Sequence, residues 1–318
     1  MKDINYMLKT AYGINCRSIV LQQGGWSALA YKVFDGAKNY FLKAYEVSRS
    51  STSKLTSMID IYVPVTMWLN QNPNLSGKLP MLVLTKNGDF KYKDKHAIYL
   101  LYEYIEGETI GNGTLTEKEV EQFCNMIAEL HCFNEVNMFF DVKKIKETFN
   151  LPFLQPLKEN LIQYCDNLPE DLKALLINHL NIVDRLIHST EKLALSLIKN
   201  TPRMVLCHTD LHNWNLMRTK NTLILIDWEG LKIAPPEADI MFLKDKPYYH
   251  RFLKIYQKRH RDFRVNPDAL QFYIARRKLE DIWEFVEQLL FDSQDKESRS
   301  QTFQYLKMEL EDIVANPL

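Results

Sequence analysis

The chain has 318 residues, enough to bury one large core or two smaller ones, and its 46% hydrophobic and 25% charged shares fall in the globular range. Forty Lys and Arg balance forty Asp and Glu, which excludes the bulk attraction to polyanions that marks nucleic-acid and polybasic membrane binders. The N-terminus lacks an apolar signal core and no run of about 18 apolar residues could span a bilayer, so a cytoplasmic protein with no membrane partner is expected. Residues 1–110 hold 13 Lys and Arg against 9 Asp and Glu and the remainder 27 against 31, a mild skew that suits a phosphate-binding part followed by one that receives a cation. Five cysteines, Cys16, Cys124, Cys132, Cys165 and Cys207, form no C-x-x-C pair and read as reduced packing residues.

In chain order, the first hundred residues show strand-like runs at 17–23, 27–35, 39–46, 81–85 and 96–104, with Asp35-Gly36 marking a hairpin turn. A helix over 51–69 interrupts them, with Pro64 expected to bend it or end a turn. Residues 106–114 (EGETIGNGT) are rich in Gly and Thr and precede the capping box Thr116 to Glu119. Helical periodicity follows at 117–134, 170–199, 245–260, 267–292 and 297–313, interrupted by a short β insertion at 204–207 and 222–226. The fold class is therefore α+β. Residues 1–106 form a β-rich lobe with a hinge at about 103–114, and 107–318 a mostly helical lobe.

The chemistry concentrates in His208-Thr209-Asp210-Leu211-His212-Asn213-Trp214-Asn215, followed twelve residues later by Asp227-Trp228-Glu229. The apolar run 223–226 would deliver Asp227 to the edge of a cleft, opposite Asp210 and Asn215. Phosphoryl transfer needs one carboxylate at the attacking hydroxyl and oxygen ligands that hold Mg²⁺ against the phosphates, and these three residues supply such a set. His-x-Asp-x-His also resembles part of a zinc or two-metal hydrolase site, although His96, His131 and His188 do not cluster with it in sequence. As plain loop residues, His208 and His212 would simply hold the turn. Two further features stand upstream: Gly24 and Gly25 between strands, whose backbone could approach phosphate oxygens, and Lys43 within the apolar strand Tyr40-Phe41-Leu42-Lys43-Ala44. Each has an ordinary reading, as a hairpin turn and an outward-facing lysine. The ordered combination points instead to a nucleotide-dependent transferase.

These motifs, together with Val205-Leu206-Cys207-His208 and Ala234-Pro235 leading to Asp239-Ile240-Met241-Phe242, resemble the aminoglycoside-phosphotransferase family of the protein-kinase-like two-lobe fold over nearly the whole chain. The resemblance implies an N-terminal antiparallel-sheet lobe that binds ATP (or GTP), a helical catalytic lobe, and Mg²⁺ as cofactor. It makes Asp210 the catalytic base or hydroxyl-orienting residue and Asn215 and Asp227 the Mg²⁺ ligands. Gly24, Gly25, Ser27, Lys43 and His212 would meet the nucleotide phosphates, and Glu103, Tyr104 and Ile105 would present backbone to its base. Asp239 would brace the catalytic loop. Two departures stand out: Thr209 occupies a position usually held by glycine, and 47–88 contains one acid, Asp60, as the expected partner of Lys43.

The acceptor is expected to be a small molecule with a hydroxyl group, an aminoglycoside or aminocyclitol, or alternatively a choline-like metabolite. An inactive kinase-fold binding protein is the remaining alternative. A cationic acceptor calls for carboxylates, and the C-terminal helix offers Glu280, Asp281 and Glu284, with Glu229 nearer the metal set; a solvated helix face explains the first three equally well. Trp283 and Phe285 suit either a core or a wall for a sugar-like ring. A monomer or homodimer is expected.

Overall fold

The computed structural model describes residues 2–22, 28–163 and 168–316. Its elements run in chain order as helix α1 (Lys2–Met7), strands β1 (Ser18–Leu21), β2 (Leu29–Phe34) and β3 (Asn39–Glu46), helices α2 (Thr52–Thr56) and α3 (Ile59–Leu69), strands β4 (Tyr92–Lys93), β5 (Ala97–Glu103) and β6 (Glu108–Thr109), and helix α4 (Glu117–Leu130). Next come α5 (Leu154–Lys158), α6 (Glu170–Ile177), α7 (Leu180–Lys199), β7 (Val205–Cys207), β8 (Leu216–Arg218), β9 (Leu223–Leu225), β10 (Lys232–Ala234), α8 (Glu237–Ile240), α9 (Tyr249–Arg259), α10 (Pro267–Phe291) and α11 (Lys296–Ala315). The α+β class expected from the sequence is what the structure has. The described chain divides into two compact units, one of residues 1–146, 205–233 and 242–263, the other of 147–204, 234–241 and 264–318.

The first unit is built on a five-stranded antiparallel sheet of order β1-β2-β3-β5-β4. The β2–β3 hairpin turns where Asp35 predicted it: its Oδ1 accepts the N–H groups of Ala37 and Lys38, and Gly36 takes φ 104°, which only glycine adopts without strain. Alternation along β3 then sorts side chains between two faces. Leu42 and Ala44 join Val33, Ala97, Tyr99, Leu101, Met7 and Leu8 in a buried cluster, while Phe41, Lys43 and Tyr45 turn to the other face. The run 81–85 does not form a strand; it makes only an isolated bridge, Leu82 to Tyr102. The single helix expected over 51–69 is two, broken at Ser57–Met58. Pro64 sits inside α3, where its missing N–H leaves the Asp60 carbonyl without a helical donor. Helix α4 begins at the predicted capping box, with Thr116 accepting from Glu119 N–H and Glu119 accepting from Thr116 N–H. β6, β8 and β9 form a three-stranded sheet.

The second unit is helical. The predicted helix over 170–199 is interrupted at Asn178–His179, giving α6 and α7. On α10, Leu279, Ile282, Trp283, Val286 and Leu289 recur at helical spacing and bury against Val183, Leu186 and Ile187 of α7 and Leu306, Leu310 and Ile313 of α11. Burial of each such side chain contributes about 1.5–3 kcal/mol against the entropy of ordering it. Trp283 is thus a core residue, and Phe285 stacks on Tyr305 at 5.8 Å.

Candidate active site

The site is assembled within the first unit from β3, the loop 208–215 and the turn after β9. Lys43 is 7% exposed, and its ammonium donates to Asp227 Oδ1 at 2.8 Å and to Glu229 Oε1 at 2.5 Å. Tyr45, two residues on and therefore on the same face of β3, donates its hydroxyl to the same Glu229 oxygen. Burial acts to push the Lys43 ammonium down, but Asp227 and Glu229 together outweigh it and hold it well above the usual lysine range. Burial likewise acts to raise Glu229, and the Lys43 charge with the Lys43 and Tyr45 hydrogen bonds brings it below the usual carboxylate range. Lys43 is therefore a fixed buried cation, not the outward-facing lysine of the ordinary strand reading.

This geometry corrects two expectations. Asp60 does not hold Lys43; it pairs with Lys91 at 2.5 Å, with 65% of its side chain exposed. Glu229, expected as a candidate substrate contact, has its carboxylate engaged by Lys43 and Tyr45, with 13% of its side chain exposed. The role of partner to Lys43 has passed from the helix to the turn that follows β9. The sequence carried one signal of this, the shortage of acids in 47–88, and no signal of where the replacement would come from.

The turn is unusual in its backbone. Asp227 adopts φ 64°, ψ 67°, a left-handed conformation that aspartate tolerates better than most residues, and Trp228–Gly230 form a 3₁₀ turn packed against α3. Trp228 is buried and donates its indole N–H to Leu225 O. Asp227 remains open to solvent, with 42% of its side chain exposed, so Lys43 engages one oxygen and leaves the other accessible.

Facing this turn is the loop that carries Asp210. Asn215, 3% exposed, directs its amide nitrogen to Asp210 Oδ2 at 2.8 Å and to the Asp210 carbonyl at 2.9 Å. Its side-chain oxygen accepts no hydrogen bond among the described residues. His212 places Nε2 3.2 Å from Asp210 Oδ2, while its Nδ1 is buried without a partner. His208 is fully buried, with Nε2 on Ile226 O at 2.9 Å, Nδ1 accepting from Asp210 N–H at 3.3 Å, and its ring edge-on to Trp228. Both nitrogens of His208 are engaged, so His208, Asp210 and His212 do not converge as the ligand set of a zinc hydrolase.

At the end of β5, Glu103 N–H is taken by Met81 O and Tyr104 N–H by Asn39 O, whereas Ile105 N–H makes no hydrogen bond among the described residues. Gly24, Gly25 and Ser27 lie outside the described residues. In the second unit, Glu280 is bonded to Arg276 at 3.0 Å and Asp281 to Arg277 at 2.8 Å, each an i, i+4 pair on α10, and Glu284 accepts from Gln288 at 3.4 Å. Two of the three proposed cation receptors thus already face arginine.

The donor set fits a hard divalent cation: an unbonded amide oxygen on Asn215 and an open carboxylate oxygen on Asp227. A buried lysine, a loop carboxylate and this pair of oxygen donors are thus brought together on one α+β scaffold. The phosphotransferase enzyme family model matches residues 19–273, and the chain belongs to that family. Among solved structures, spectinomycin phosphotransferase APH(9)-Ia in complex with ADP and spectinomycin aligns over 99% of this chain and 97% of its own, at 21% identity and a TM-score of 0.74. Choline kinase LicA from Streptococcus pneumoniae aligns over 98% of both chains at 15% identity and a TM-score of 0.60. ADP-bound aminoglycoside phosphotransferase APH(2'')-Ib aligns over 97% of both at 18% identity and 0.56. No curated protein sequence matched. At these identities the structural likeness is one of fold.

Proposed function

We propose that this protein is a small-molecule kinase that moves the γ-phosphate of ATP or GTP to a hydroxyl of a soluble acceptor in the cytoplasm. The observation that carries the reading is the Asp210–Asn215 pair: Asn215 donates to Asp210 and keeps its own oxygen unbonded, beside a turn whose Asp227 is open to solvent and bonded to the buried Lys43. Asn215 and Asp227 would hold Mg²⁺, which when bound supplies positive charge to the β- and γ-phosphates. Lys43, fixed by Glu229, meets the nucleotide phosphates as a cation that stays charged across the physiological range. Ile105 N–H offers a donor to the nucleobase.

In the transfer, the acceptor oxygen attacks the γ-phosphorus, the bond from phosphorus to the β–γ bridging oxygen breaks, and the nucleoside diphosphate leaves. Asp210 accepts the hydroxyl proton as the new bond forms, oriented for this by Asn215 and by His212. The N-terminal part to about residue 106 supplies nucleotide contacts and the remainder the acid and acceptor contacts. Hydroxylated cations, aminoglycosides and aminocyclitols first, then choline-like alcohols, are the acceptors that the mild acidity of the C-terminal part favours.

The test is Mg²⁺-dependent nucleotide turnover with ATP and GTP over a panel of these acceptors, in the wild type and in Asp210→Asn. Acceptor-stimulated turnover that drops at least about 100-fold in Asp210→Asn, with nucleotide affinity retained, is expected. Equal turnover in that variant would overturn the assignment. Nucleotide binding without turnover on any acceptor would favour a kinase-fold binding protein.

A further inference from the structure

Three non-glycine residues among those described have positive φ: Phe149, Thr209 and Asp227. Thr209, at φ 69°, is β-branched, and a branched Cβ in the left-handed region is strained where aspartate is tolerated. The strain has a visible counterpart. Its hydroxyl donates to the carbonyl of Gly230, 21 residues along the chain, at 2.7 Å. Gly230 receives it at the closest approach the backbone permits, since a Cβ there would stand 2.5 Å from Thr209 Oγ1 and 3.1 Å from His208 O.

Two further bonds join the same segments at the opposite end of the turn: His208 Nε2 to Ile226 O, and Ile226 N–H to Asn215 O, both at 2.9 Å. Ile226 and Gly230 bracket Asp227, Trp228 and Glu229. The Thr209 bond holds the Gly230 end, next to the carboxylate that holds Lys43. Thr209 also immediately precedes Asp210. One hydroxyl therefore ties the acid-bearing loop to the turn that sets the Lys43–Glu229–Asp227 constellation.

We propose that Thr209 is a positioning residue whose left-handed backbone is retained because it aims the hydroxyl at Gly230 and so registers the Asp210 loop against the turn at 227–230. Its catalytic consequence rests on the phosphotransferase reading; the structural tie does not.

The experiment compares Thr209→Ser, Thr209→Val and Thr209→Gly in the full chain, using hydrogen exchange of the 226–231 segment without ligand and calorimetric titration with Mg²⁺ and ADP. Thr209→Val keeps the shape and loses the donor, so exchange of 226–231 should quicken and Mg²⁺·ADP affinity fall, each by about tenfold, the worth of one well-made hydrogen bond. Thr209→Gly should lose as much in both readouts while its melting temperature stays within about 3 °C of wild type, because the backbone strain is released together with the bond. Thr209→Ser should stay within about twofold of wild type in both. Wild-type exchange in Thr209→Val, or a loss in Thr209→Ser equal to that in Thr209→Val, would overturn the proposal. Should Thr209→Val not fold, the contrast between the glycine and serine variants decides in the same way. If the wild type fails to bind Mg²⁺·ADP while the exchange pattern holds, the kinase reading falls and the tie stands.

Discussion

At the scale of single residues, the central fact is that one buried lysine has two carboxylate partners from the same short turn. Lys43 could not keep its charge in a 7% exposed position without them, and Glu229 could not keep its own without Lys43. Asp60 and Lys91 make a second ion pair of the same length in a different setting, with 65% and 28% of their side chains exposed. The two pairs should therefore answer mutation differently. Glu229→Gln is expected to cost about 3 kcal/mol in urea unfolding, the low end for breaking a buried pair because Asp227 remains, whereas Asp60→Asn should cost at most about 0.5 kcal/mol. Comparable losses at both positions would mean that Lys43 draws its support from the helix after all.

Among the elements, α4 shows how a local signal and a distant partner combine. Its N-terminus was legible from Thr116-x-x-Glu119, because a capping box is satisfied within four residues. What the sequence did not reveal is that Glu119 also receives Arg218 of β8, at 2.5 Å from Nε and 3.0 Å from Nη2. The Arg218 hydrogen bond, with those of Thr116, holds the Glu119 carboxyl down to about 2. A carboxyl whose folded pKa lies below its ordinary value of 4.5 stabilises the fold above about pH 4.5 and loses that contribution as pH falls toward 2. Thermal melts of wild type and Glu119→Gln should then differ at pH 7 and converge between pH 4.5 and 2; a gap that stays constant with pH would rule out this linkage. In α3, by contrast, the local signal misled. The sequence predicts a single helix over 51–69, yet the chain breaks at Ser57–Met58, between the polar stretch 51–57 and the apolar α3 (Ile59–Leu69), while Pro64 is accommodated inside α3.

For the whole molecule, ligand linkage gives a readout that needs no acceptor. Mg²⁺·ADP at about 100 times its dissociation constant should raise the melting temperature by about 5 °C, and Asn215→Ala or Asp227→Asn should remove the part of that rise that depends on Mg²⁺. A full Mg²⁺-dependent rise in both variants would show that these oxygens are not the ligands. No helix among the described residues is long and apolar enough to cross a membrane, in keeping with the balanced composition.

The sequence by itself determined the α+β class, β3 and its hairpin, the α4 cap, the long helices of the second unit, and the identities of Asp210, Asn215, Asp227 and Lys43 as candidates. The elements and the Asp210, Asn215 and Asp227 set follow from periodicity, turn chemistry and short-range spacing, which are properties of neighbouring residues, whereas Lys43 stands out through the order of motifs along the chain and the family resemblance. Only the tertiary structure decided that Glu229 rather than Asp60 holds Lys43, that Glu280 and Asp281 are already engaged by arginine, and that Thr209 reaches Gly230. The Glu229 and Thr209 contacts join residues 186 and 21 positions apart, through backbone conformations that no local propensity favours. The arginine pairs on α10 are local in spacing, yet whether a helix carboxylate faces its i−4 neighbour or a ligand depends on what else packs around it.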